Sequence, residues 1–241
     1  MAKAPKRPED VVQGVVADLR SAFGDELVSV ILYGSAVRGD YRPGKSDINF
    51  FVVLTAEGMQ RIERAMPFVR KWRKRFVSVP RFVTEDYIRR SLDSFPIEFL
   101  GLQRFHRTVY GEELLDDIAV SPDDLRLQCE REIKGKLLHL REGFLATEGK
   151  RKALEALVRV SLPTFASVFE AMVHLKGEEP PVRRSELFQR TAELFGLDRG
   201  VFEQLLAVRE GRVKLGGDDL KALCRKYIEQ IEKASEIVDS L

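Results

Sequence analysis

Residues 27–54 read LVSVILYGSAVRGDYRPGKSDINFFVVL, and the fold turns on this stretch. Leu27–Tyr33 is apolar and rich in β-branched residues, which predicts a strand. Residues 47–54 predict a second strand. Between them, 34–46 carries three glycines and a proline and predicts a loop, with room for a short helical turn after Ser35. In a strand alternate side chains share a face, so Asp47 and Asn49 point one way and Ile48 and Phe50 the other. A strand ending in Gly34-Ser35 therefore meets a strand beginning Asp47-x-Asn49. Gly34 lets a phosphate approach the backbone closely, and Ser35 offers a hydroxyl and an amide. Oxygen donors at the start of the second strand suit a hard ion such as Mg²⁺, which takes one or two carboxylates plus substrate phosphates.

Upstream, Pro8-Glu9-Asp10 opens a helix, Val11, Val15, Val16, Leu19 and Phe23 follow at helical spacing, and Gly24 ends it. Downstream, 56–75 reads as helical with Pro67 inside it to kink or split it, 81–84 as a short strand and 85–92 as a short helix. The apolar run 95–102 reads as a third strand with Glu98 in its middle. An acid between Ile97 and Phe99 suits a shared metal site or a general base. Val109 and Tyr110 suggest one more short pairing. Ser121-Pro122-Asp123-Asp124 is a strong helix start, and from there on only helical patterns occur, with Pro163 predicting a kink. The expected architecture is α+β: a small mixed sheet with flanking helices over 1–120, then an all-α bundle over 121–241.

Composition narrows the partners. The chain has 241 residues and a net charge of +2. Residues 1–120 hold 19 basic and 17 acidic side chains and 121–241 hold 21 of each, so neither half is a polycation and nucleic acid is not the expected partner. The densest basic run, 70–75, reads as a solvated helix end. His106, His139 and His174 are scattered with no metal-ligand spacing. Cys129 and Cys224 fall on apolar helical stripes and read as buried thiols rather than a disulfide. No uninterrupted apolar run reaches the roughly 18 residues that span a bilayer, and the polar N-terminus is not a secretory signal, so a cytoplasmic protein without a membrane partner is expected. The oligomeric state stays open, a homodimer included.

Gly34-Ser35, eleven residues, then Asp47-x-Asn49 resembles the Gly-Ser…Asp-x-Asp/Glu signature of the DNA polymerase β-like nucleotidyltransferase superfamily. The flanking Leu-Tyr-Gly-Ser-Ala-x-Arg-Gly-Asp, residues 32–40, is similar to the minimal and aminoglycoside nucleotidyltransferases. Arg38 takes the place of their recurring arginine. The resemblance implies transfer of a nucleoside monophosphate from an NTP to a hydroxyl, with two Mg²⁺ ions held by acids. By that resemblance Asp47, Asn49 and Glu98 would hold metal. Asp47 and Glu98 would be catalytic, with Glu98 taking the place of a third acid on a later strand. Gly34, Ser35, Arg38 and Lys45 would contact the nucleotide. The acceptor would be a small molecule or a protein.

One departure matters. The second acid is here Asn49, whose amide brings no charge and does not bridge two ions. Such a loss weakens metal affinity by at least roughly 10–100-fold. Two readings stay open: a Mg²⁺-dependent transferase with one tightly held ion, or a catalytically impaired module that binds nucleotide or a partner and regulates.

Overall fold

The computed structural model describes residues 4–241. The chain divides into two compact units, Met1–Val120 and Ser121–Leu241.

The first unit begins with α1 (Glu9–Phe23), whose Val11, Val15, Leu19 and Phe23 are buried at helical spacing. Gly24, at φ 53°, stops it. Strand β1 (Leu27–Tyr33) runs into the four-residue helix α2 (Ser35–Arg38), and β2 (Asn49–Leu54) follows the loop. The expected helix over 56–75 is broken into α3 (Ala56–Met59), a 3-10 turn, α4 (Met66–Trp72) and another 3-10 turn. Pro67 falls in the first turn of α4, where its missing N–H costs nothing. Then come β3 (Arg81–Val83), α5 (Glu85–Arg90), α6 (Pro96–Arg104) and β4 (His106–Gly111).

The strand expected over 95–102 is therefore a helix. Pro96 sits in its first turn and Glu98 places a negative charge there, both favourable to a helix start. Pro96, Ile97, Phe99, Leu100 and Leu102 are buried while Glu98 is exposed. A short apolar run looks the same in either state, and the helix-start chemistry decides it.

The sheet is mixed, in the order β3-β2-β1-β4. Strand β1 pairs antiparallel with β2 and β4, and β2 pairs parallel with β3. Strand alternation sends Val30, Leu32, Phe50, Val52 and Leu54 into one core with α1, Phe68 and Trp72. Ile31, Phe51, Val53 and Val83 enter the opposite core with Ile88, Phe99 and Leu102. Across the sheet, His106 pairs with Tyr33 and Tyr33 with Asn49, so these three form one row. Ser29, fully buried, ties the far end of β1 to β4 by donating to the Glu112 carbonyl at 2.7 Å.

The second unit is helical throughout: α7 (Pro122–Ala146), α8 (Arg151–Ser161), α9 (Ala166–Leu175), α10 (Arg184–Phe195), α11 (Arg199–Glu210) and α12 (Gly217–Val238). Ser121 caps α7 by accepting from the Asp124 amide. Pro163 lies in a 3-10 turn that joins α8 to α9. Phe165, Phe169, Phe188, Phe202 and Tyr227 pack ring on ring with centroids 5.2–6.2 Å apart. The stretch Arg151–Leu175 is long and apolar enough to cross a bilayer, contrary to the expectation from run length, yet 56% of its apolar window is buried inside the protein. That apolarity serves core packing.

Candidate nucleotide site

The signature loop is held by its glycine. Gly34 has φ 75° and ψ −138°, a conformation L side chains rarely adopt. Its amide donates to the Phe105 carbonyl at 3.1 Å, and its own carbonyl accepts from the amides of Val37 and Arg38, which starts α2. Ser35 is the first residue of that helix and half-buried. Arg38 lays its guanidinium over the Phe105 ring, 4.2 Å from the centroid, so much of its surface is engaged in stacking. Lys45 is exposed in the loop.

Asp47 stands two residues before β2, exposed, with no hydrogen bond or ion pair among the described residues. It lines a cleft of about 860 Å³ together with Arg73, Lys74, Phe76, Val77, Ser78 and Val79. Arg73 and Lys74 are exposed. Neither is legible as a site residue in the sequence, because the run 70–75 looks like any solvated helix end. Only the parallel approach of the following segment, Val77 bridging to Ile48, brings them beside Asp47.

Asn49 opens β2 and is half-buried. Its Oδ1 accepts a hydrogen bond from Ser78 Oγ at 2.7 Å. Its Nδ2 faces Gly34, 3.5 Å from where a Cβ would stand. The amide thus bridges the segment before β3 to the glycine turn.

Glu98 lies elsewhere. It is exposed on α6 and lines a different cleft of about 520 Å³ with Phe51, Arg81, Tyr87 and Phe95. The strands after β2 carry no carboxylate: β3 reads Arg-Phe-Val and β4 reads His-Arg-Thr-Val-Tyr-Gly. Strand β3 sets Arg81 opposite Phe51, with the guanidinium 5.9 Å from the Tyr33 ring centre. Burial pushes the Tyr33 hydroxyl above its usual pKa, and Arg81 offsets part of that. Where the resemblance implies a strand acid, the face presents a cation.

These donors decide what metal the residues fit. Asp47 supplies one free carboxylate, the Asn49 oxygen already accepts from Ser78, and no strand carboxylate joins them. A pair of Mg²⁺ ions does not fit this set. A single ion completed by nucleotide phosphates does, since Mg²⁺ commonly takes one or two protein carboxylates.

A four-stranded mixed sheet whose glycine-serine turn faces an Asp-x-Asn strand start defines a nucleotidyltransferase-type domain. The family model described as a nucleotidyltransferase domain matches residues 13–134, half of the chain, and the chain belongs to that family. Among solved structures, it is similar to spectinomycin adenyltransferase AAD(9) from Enterococcus faecialis, determined with ATP and spectinomycin. The two are 12% identical, with a TM-score of 0.53, over 93% of this chain and 99% of that one. At that identity the likeness is one of fold, and it extends over both units. No curated protein matches the sequence significantly.

Proposed function

We propose that the protein binds an NTP with Mg²⁺ in the cleft lined by Asp47, Arg73 and Lys74 and transfers its nucleoside monophosphate to a hydroxyl of a small molecule. The observation that carries this reading is Asp47 itself, exposed, without a partner among the described residues, and facing the same cleft as two exposed cations. The Gly34 turn leaves the backbone open to a phosphate, and the Ser35 hydroxyl and amide lie next to it. Arg73 and Lys74 offset the charge of the triphosphate and of the departing pyrophosphate. Lys45, exposed in the loop, adds a further cation to the same phosphates. Asp47, together with the phosphates, would hold Mg²⁺, which would supply the remaining charge neutralisation. In the transfer the acceptor oxygen bonds to the α-phosphorus, the bond to the bridging oxygen of the β-phosphate breaks, and the hydroxyl proton leaves to water. The likeness to an adenyltransferase solved with ATP and spectinomycin supports a small-molecule acceptor. Glu98, in a different cleft, has no part in this set.

Two measurements test the reading. Calorimetric titration with ATP should show binding that strengthens with Mg²⁺, and ATP binding indifferent to Mg²⁺ would sink it. Label from α-³²P-ATP should pass to an added hydroxyl compound and stop doing so in Asp47→Ala.

The engagement of Asn49 by Ser78 favours a second reading, a nucleotide-binding module that regulates without transferring. Asn49→Asp separates the two. If the wild type transfers nothing while Asn49→Asp gains both Mg²⁺ affinity and transfer, the regulatory reading stands.

A further inference from the structure

At the far end of the row that carries Asn49 lies a second polar cluster. His106 opens β4, and the segment after the strand folds back so that Glu113 and Asp116 meet its ring. His106 Nε2 stands 2.9 Å from Glu113 Oε1 and 3.5 Å from Asp116 Oδ1. One ligand atom from each of the three residues lies within 4.8 Å of the others. The imidazole side chain is only 6% exposed, whereas that of Asp116 is 68% exposed.

The tautomer of the ring is set by its other nitrogen. His106 Nδ1 is 3.0 Å from the Gln103 carbonyl, which only accepts, so Nδ1 carries the proton. In a neutral ring Nε2 then presents a lone pair to two carboxylates, which present lone pairs in return. A buried nitrogen surrounded in this way calls for a cation between the three groups. Glu113 is also oriented from behind, since Thr108 Oγ1 donates to its Oε2 at 2.5 Å and the Leu115 amide donates to its Oε1 at 3.1 Å. A histidine whose Nδ1–H is anchored on a carbonyl, beside a carboxylate that is itself hydrogen-bonded, has the support that protein ligands of metal ions receive.

We propose that His106, Glu113 and Asp116 bind one borderline divalent ion, of which Zn²⁺ is the type, with the coordination completed by water on the exposed Asp116 side. Imidazole favours such an ion over Mg²⁺, two carboxylates balance its charge, and three protein ligands with an open position is a common zinc arrangement. The ion would clip the start of β4 to the segment that follows it. The inference is independent of the nucleotide reading, because it shares no residue with the Asp47 cleft.

The test uses the full chain after dialysis against chelator, titrated with Zn²⁺ by calorimetry and with Co²⁺ by visible absorption. One equivalent of each ion should bind, Zn²⁺ should displace Co²⁺, and the melting temperature should rise with Zn²⁺ and fall back with chelator. Asp116→Asn, on a side chain that is 68% exposed, should weaken Zn²⁺ by more than roughly 100-fold, above the range seen when only supporting groups are lost. His106→Gln should abolish the Co²⁺ spectrum, while Asp47→Asn should leave it unchanged. Absence of stoichiometric uptake would overturn the proposal, as would uptake that survives both ligand variants. A His106 ring shown by NMR to be an imidazolium indifferent to added Zn²⁺ would assign the cation as a proton and overturn it equally.

Discussion

The row His106–Tyr33–Asn49 crosses three strands, and its two ends carry opposite chemistry. At the Asn49 end an amide and a hydroxyl hold each other, Arg81 covers Tyr33, and Arg73 and Lys74 line the cleft that contains the Asp47 carboxylate. At the His106 end two carboxylates converge on one imidazole. The shared scaffold fixes where backbone groups and strand starts lie, and it leaves open where negative charge collects. Here the acids that the signature implies are thin at the signature, and acids gather where the signature implies none. Function therefore has to be argued from the charges present at each end, because the fold supplies both ends equally.

The largest expected effect comes from breaking the edge on which the comparison stands. Gly111 closes β4 with φ 80°, and a Cβ there would stand 1.9 Å from the Val28 carbonyl oxygen. Gly111→Ala forces backbone to move as well as straining its own conformation. We expect a loss of about 3–5 kcal/mol, the range of a severe backbone clash, read by urea unfolding. A loss below about 1 kcal/mol would mean that the β1–β4 edge yields, and the two ends would then not be fixed partners on one sheet.

Charge removal at the signature end comes next. Asp47→Asn should reduce the Mg²⁺-dependent part of ATP affinity by at least roughly 10–100-fold and leave Mg²⁺-free binding nearly unchanged. If both fall equally, Asp47 acts on the nucleotide directly, and the contrast between a metal-poor and a metal-rich end loses one of its terms.

A smaller effect tests what positions the basic wall. Trp72 Nε1 donates to Asp18 Oδ2 at 2.7 Å, and Lys71 Nζ reaches the same oxygen at 2.6 Å. Burial works to raise the Asp18 carboxyl, and the bonds from Lys71 and Trp72 outweigh it, so it titrates below its ordinary value. The linkage sign follows. A carboxylate depressed in the folded state stabilises at pH values above its unfolded pKa, near 3.8, and that stability is lost as the pH falls through the folded value. Asp18→Ala leaves the buried indole N–H without its partner, so it should cost about 1–2 kcal/mol at pH 7. The ionic share of that cost should fade below about pH 4. Because Trp72 precedes Arg73 and Lys74 directly, ATP affinity should weaken with it. A pH-independent difference would show that packing, not charge, holds α4.

Local signals made much of this legible in the sequence. The strand-turn-strand over 27–54, the Pro67 break, the Ser121 cap and the Pro163 kink each rest on residues close in sequence, where backbone chemistry acts directly. At 95–102 the apolar run suggests a strand, whereas its helix start, Pro96 and Glu98, makes it a helix. Arg73, Lys74 and Ser78 were not legible as site residues because they join Asp47 and Asn49 through a parallel strand approach that no spacing encodes. The same holds for His106, which looked isolated. Glu113 and Asp116 follow at intervals that match no ligand motif, and the turn after β4 alone brings them to its ring.

The smallest expected effect concerns a region outside the comparison, which serves as its control. Cys129 and Cys224 are buried in the helical unit. Burial, with Glu132 adding to it, pushes the Cys129 thiol up to about 12, and burial pushes Cys224 to about 11. At pH 8 their thiolate fractions are roughly one in ten thousand and one in a thousand, so a disulfide reagent should label neither in the native protein and both after full unfolding. The helical unit has its own aromatic core around Phe169 and Tyr227. In urea, Gly111→Ala should therefore lose the sheet signal first while both thiols stay protected. Labelling that rises together with the loss of the sheet would show that the two units unfold as one. The cost of the Gly111 change would then belong to the whole chain rather than to the β4 edge.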